Sequence, residues 1–153
     1  AAFAAGMGLA SMANAQVVRR FGMQAMCEGA LIGLVILGLG MLSLSVFYEG
    51  RPPFLVFMAM GFVIFFCIGI LFGNLNAMAM QSLGQLAGLG ASLIASGSSL
   101  VAVVFAVGFG AFYNQTTIPL ASGFLATGVF GFVLVRLALG ASQEPVIPVK
   151  RAA

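Results

Sequence analysis

The side chains able to do chemistry in this chain are few, and their kinds decide much. Among 153 residues there are six Lys or Arg, three acidic residues and no His, and the acids are all Glu. Lacking His and Asp, the chain cannot build a Ser-His-Asp triad or an imidazole-bound metal site. Cys27 and Cys67 stand far apart inside apolar runs, the pattern of neither a metal knuckle nor a disulfide framework. Each reads as a small hydrophobe. Glu28 is the one carboxylate set into an apolar run, about a turn and a half from its start, roughly 7–9 Å deep. At that depth it is a possible ionisable site, as a proton carrier would need. The other reading places it at the membrane interface, paired with Arg19 or Arg20. Catalysis by acid, base and nucleophile finds no set of partners here, so an enzyme is not expected. Neither are a cofactor, a metal or a nucleic-acid partner.

The elements that position these residues follow from composition. Hydrophobic residues make up 62% and charged residues 6%, and no charge lies between Arg51 and Arg136. A soluble fold needs far more charge than this on its surface, so the expected solvent is the lipid bilayer. A helix crosses the hydrocarbon with about 20 apolar residues. Runs of that kind cover 1–18, 23–47, 53–78, 86–112 and 118–139. Between them stand Gly, Pro and polar clusters that end helices. Strands are not expected, because the runs are too long and continuous for the ten-residue alternation of a membrane barrel. The sequence therefore predicts an all-α membrane protein of five transmembrane helices over 1–142, followed by an extended, disordered tail over 143–153.

Charge placement orients the bundle. Arg19 and Arg20 follow the first run, whereas Arg136, Lys150 and Arg151 close the last, and five crossings put both groups on one side. Only Arg51 falls opposite, so the positive-inside bias makes the C-terminus cytoplasmic. Tyr48 and Tyr113 sit at the outer boundary, where aromatic anchors belong. The chain opens on Ala1-Ala2-Phe3, apolar from the start and without the basic region of a signal peptide. It is expected to be the C-terminal piece of something longer.

The helices differ in character. Gly84, Gly88, Ser92 and Ser96 recur every fourth position, and small residues allow helices to approach closely in lipid. This stripe predicts either ordinary packing within the chain or an interface with helices outside it. In the second case it points away from the chain's own bundle. Ala4, Ala5, Gly8 and Ser11 give the first run a similar face. The 23–47 and 118–139 runs are rich in Leu, Ile and Val and read as lipid-facing supports. In the 53–78 run, Phe62, Phe65, Gly69 and Phe72 share one helical face. Aromatic walls with a few polar groups suit an apolar ligand, and Asn74 and Asn76 lie nearby.

Two stretches carry a family likeness. Asn14-Ala15-Gln16-Val17-Val18-Arg19-Arg20-Phe21-Gly22 resembles the cytoplasmic loop between helices eight and nine of major facilitator superfamily transporters. Phe72-Gly73-Asn74-Leu75-Asn76-Ala77-Met78-Ala79-Met80, leading into Leu83–Ser92, is similar to the helix ten–eleven region of the bicyclomycin- and chloramphenicol-resistance branch of drug:proton antiporters. The chain departs at Ser82 and Gln85, where that branch usually has Pro and often His. The resemblance implies helices eight to twelve of a twelve-helix exporter of small apolar or amphiphilic compounds, in a bacterial inner membrane. It further implies that Asn14, Arg19, Arg20 and Gly22 form a cytoplasmic gate loop and that Phe62, Phe65 and Phe72 line the substrate cavity. The Gly84-Gly88-Ser92-Ser96 stripe would pack on the missing N-terminal half. Substrate and protons would be the partners, but no proton site carries over, since none of the three Glu matches a family position. The alternative is a complete small polytopic protein acting as an assembly subunit.

Overall fold

A computed structural model describes residues 2–81, 87–112 and 114–141, and they form five α-helices. These are α1 (Ala2–Phe21), α2 (Met23–Phe47), α3 (Phe54–Gln81), α4 (Ala87–Ala111) and α5 (Ile118–Ala141). Four contain stretches long and apolar enough to cross a membrane: Met23–Phe47, Phe54–Gln81, Gly88–Ala111 and Ile118–Ala138. The first of the five expected spans does not reach that standard. Asn14, Gln16, Arg19 and Arg20 dilute the apolar character of α1, although it packs as closely as its neighbours. Gly84 and the 143–153 tail lie outside the described residues.

Backbone chemistry sets the helix ends. Gly22 (φ 81°) is the lone residue between α1 and α2, in a conformation that a Cβ would strain. Arg19 and Arg20 therefore belong to the last turn of α1 and not to a loop, which corrects the expected boundary. Both are good helix formers, and only the glycine stops the helix. At the end of α2, Glu49 (φ 52°) and Gly50 (φ 82°) turn the chain. Pro52 and Pro53 then forbid the helix from continuing.

Helix contacts run in the order α1, α3, α2, α5, each pair meeting where a side chain is missing. A Cβ on Gly69 would lie 2.8 Å from Ala10 Cβ, and one on Gly6 would lie 3.0 Å from the Phe62 carbonyl, so α1 and α3 run parallel at close range. Gly33 faces Cys67 and Gly40 faces Met60, which makes α2 and α3 antiparallel. Gly38 abuts the Leu125 backbone, Gly128 meets Leu34 and Val35, and Gly131 meets Leu31, which sets α2 against α5. Buried Cys27, Leu31, Leu34, Met41, Ile64 and Ala121 fill the seams. The expectation that α2 is a lipid-facing support is thus corrected. One face of α2 is the most buried in the bundle, and only its other face, with Ile36 and Leu39, is exposed.

Helix α4 stands apart. It touches α3 and α5 only lightly, and nearly its whole length is exposed.

Candidate functional site

Three polar contacts and a pair of grooves are distributed along the bundle, and their positions follow from the helix directions. Glu28, one turn into α2, meets Arg136 near the end of α5, with 3.4 Å between Oε2 and a guanidinium nitrogen. The partner is therefore Arg136, and the expected pairing with Arg19 or Arg20 is corrected. The antiparallel register that places Leu31 on Gly131 brings Glu28 alongside Arg136, and the guanidinium lies 5.2 Å from the Phe132 ring centre. Both side chains retain solvent access, at 31% for Glu28 and 56% for Arg136, so the pair sits at an edge rather than in the interior.

Deeper in, Asn14 of α1 and Asn74 of α3 form a reciprocal amide pair. Asn74 Nδ2 donates to Asn14 Oδ1 at 2.7 Å, and Asn14 Nδ2 donates back to Asn74 Oδ1 at 3.2 Å. Asn74 Nδ2 also donates to the Ile70 carbonyl at 3.0 Å, and its side chain is only 2% exposed. Each amide satisfies the other where water cannot, as a polar group buried in an apolar bundle requires. Asn14 is therefore a packing residue inside a helix, whereas a position in a gate loop was expected. Gly22, of the same expected set, is the helix break itself.

At the opposite end, the loops after α2 and α4 are tied together. The Thr117 N–H donates to the Gly50 carbonyl at 3.0 Å. Its hydroxyl lies 2.9 Å from Ser45 Oγ and 3.2 Å from that same carbonyl. Gly50 is required here for space as well as for its positive φ, because a Cβ would collide with the Thr116 side chain.

The fourth feature is a pair of grooves flanking α4. One, of about 430 Å³, is lined by Phe72, Asn76 and Met80 of α3 and by Ile94, Ala95, Ser98 and Ser99 among others of α4. The second, of about 450 Å³, lies between α4 and α5, with Phe105, Thr127 and Phe130 in its walls. Both are apolar with scattered hydroxyls. The first adds an aromatic ring and an amide, and Asn76 Nδ2 donates to the Phe72 carbonyl at 2.7 Å. Such walls can hold an amphiphile by contact and hydrogen bonding, and they carry no acid or base to act on it.

No known protein family, curated protein or solved structure matches the chain.

The three phenylalanines expected to share one cavity wall are divided by the structure. Phe62 packs over Gly6 of α1, whereas Phe65 meets Phe124 of α5 edge-on with centres 6.1 Å apart. Only Phe72, at 67% exposure, opens into the α3–α4 groove. Gly88, Ser92 and Ser96 of the small-residue stripe are exposed, and a Cβ on Gly88 would meet nothing within 4 Å. Exposure alone does not single out that face, because α4 is exposed all round. On α1 the contrast is sharper: Gly6 and Ala10 are buried against α3, whereas Ala4, Ala5, Gly8 and Ser11 are exposed. Among the described residues no cluster of His, Cys, Asp or Glu could hold a metal. Sequence reasoning missed the Asn14–Asn74 pair and the Ser45–Thr117 contact. The available signal was the presence of amides and hydroxyls in otherwise apolar runs, which must find partners.

Proposed function

We propose that this chain forms most of the C-terminal half of a proton-coupled secondary transporter of the major facilitator superfamily, exporting small apolar or amphiphilic compounds. The observation that carries the reading is the uncovered small-residue face Ala4-Ala5-Gly8-Ser11 of α1, opposite the Gly6 and Ala10 face buried against α3, and the small residues Gly88, Ser92 and Ser96 of the exposed α4 are compatible with it. Smooth faces of this kind suit close helix packing in lipid. The family likeness gives α1 and α4 the positions of helices eight and eleven, which meet the opposite half. Alternating access proceeds by rocking one half against the other around a central site. The groove at Phe72, Asn76, Ser98 and Ser99 supplies walls suited to an amphiphilic substrate. In this reading the arginine end and the C-terminus are cytoplasmic, and the membrane is a bacterial inner membrane.

The test is accumulation of fluorescent lipophilic cations in cells lacking their own efflux pumps and expressing the full reading frame that carries this chain. Lowered accumulation, restored by a proton uncoupler, is the expected result. Accumulation equal to that of cells with an empty vector, across a panel of cations, overturns the reading and leaves an assembly subunit as the better one.

A further inference from the structure

A pocket of about 470 Å³ opens at the arginine end, away from the α4 grooves. Phe21, Gly22, Met23, Gln24 and Ala25 at the α1–α2 junction and Met78 and Gln81 near the end of α3 line it. Its lining is divided between apolar surface (Phe21, Met78) and side-chain amides (Gln24, Gln81). The Arg20 guanidinium lies over the Phe21 ring, 5.8 Å from its centre, and Arg19 precedes it in the same exposed helical turn.

Charge accounting at this end is one-sided. The described carboxylates are those of Glu28 and Glu49. Glu28 is engaged by Arg136, and Glu49 lies at the opposite end of α2. Among the described residues Arg19 and Arg20 have no carboxylate partner. Two cations with no countercharge among the described residues thus stand beside a pocket lined by both apolar residues and glutamines, at the end of a bundle whose other helices are long and apolar enough to cross a membrane. A free inorganic anion would make no use of the apolar half. A neutral apolar ligand would make no use of the arginines or of the two glutamines. Basic pockets between transmembrane helices hold anionic lipid headgroups, with the acyl chains continuing along the apolar surface. We infer that the Phe21–Gln81 pocket binds the phosphodiester headgroup of an anionic phospholipid, with Arg19 and Arg20 as its countercharges and Gln24 and Gln81 as hydrogen-bond donors. The inference does not depend on the transport reading, since it needs only the membrane placement and the local geometry.

Native mass spectrometry of the full chain, released from nanodiscs of phosphatidylcholine with or without phosphatidylglycerol, tests the inference. Phosphatidylglycerol is expected to be retained in preference to phosphatidylcholine. Arg19→Gln combined with Arg20→Gln should weaken retention about 30-fold, roughly fivefold for each arginine at a membrane surface. Arg51→Gln, at the opposite end, should leave it unchanged. Ala25→Phe keeps both arginines and fills the pocket. Loss of retention in that variant supports the site, and full retention overturns it in favour of a diffuse surface attraction. Equal retention of the two lipids also overturns the inference. So does displacement of phosphatidylglycerol by inorganic phosphate at equal concentration, which would identify a free anion as the occupant.

Discussion

Removing one member of the Asn14–Asn74 pair should cost more than a polar surface contact does, and the cost should be shared between the two residues. In Asn14→Ala the stranded group is Oδ1 of Asn74, a residue 2% exposed: the oxygen loses its 3.2 Å donor, whereas Nδ2 loses its 2.7 Å acceptor but keeps the Ile70 carbonyl. Interhelical hydrogen bonds in membrane proteins average about 0.6 kcal/mol and reach about 1.7. Leaving a buried polar group unpaired costs about 1–3 kcal/mol. The expected destabilisation of Asn14→Ala is therefore about 2 kcal/mol. Asn74→Ala should cost a similar amount, because it removes the same two bonds and opens a small cavity. The double variant strands no amide, so its cost should fall short of the sum by about 1–2 kcal/mol, the coupling expected of residues in one network. The chain supplies its own probe: Cys27 is 1% exposed, so its thiol reacts only when the bundle opens. Labelling of Cys27 against added SDS, for the parent, both single variants and the double, completes the cycle. Costs that add to within about 0.5 kcal/mol would show that the two amides do not act as a unit.

Other predictions follow from the contacts between helices. Gly38→Ala places a Cβ 2.9 Å from the Leu125 amide nitrogen and should destabilise the α2–α5 seam by about 1–3 kcal/mol. Gly29→Ala, with open space around it on the exposed face of α2, should instead stabilise by up to about 1 kcal/mol, and the same labelling assay reads both. Glu28→Arg and Arg136→Glu should each lower stability by up to about 1 kcal/mol, and the combined swap should recover most of the loss, as judged by thermal unfolding in micelles. Thr117→Val leaves the fully buried Ser45 hydroxyl without its cross-loop neighbour and should cost about 1–2 kcal/mol. Faster proteolysis at the Tyr48–Pro53 turn would report that loss.

Much of the helical plan was legible in the sequence, because Gly, Pro and polar clusters punctuate long apolar runs. The α2 boundaries agree at both ends, and α5 begins at Ile118 as expected. The end of α1 lies beyond the expected boundary, because arginine favours helix and Gly22 alone breaks it. Which helix packs on which was not legible. In a chain this apolar every face looks buried, so hydrophobic patterning loses its power to point inward. The informative signals were small residues: Gly33, Gly38 and Gly40 mark the packed face of α2, a helix that its Leu, Ile and Val content had assigned to lipid. The Phe62-Phe65-Phe72 alignment was correct as a helical stripe. A stripe spans enough of the circumference to meet α1 with one ring, α5 with another and the α4 groove with the third. The Glu28–Arg136 pair was within reach, since the orientation argument already placed both at the same end. Proximity in sequence favoured Arg19 and Arg20 instead.

The most direct measurement of the proposed activity uses proteoliposomes containing the product of the full reading frame and an imposed proton gradient. Movement of a fluorescent lipophilic cation against its own gradient, abolished when the proton gradient is collapsed, is what a proton-coupled exporter predicts. Cation movement at the rate of protein-free liposomes, with the gradient intact and the protein folded by the Cys27 criterion, would contradict it.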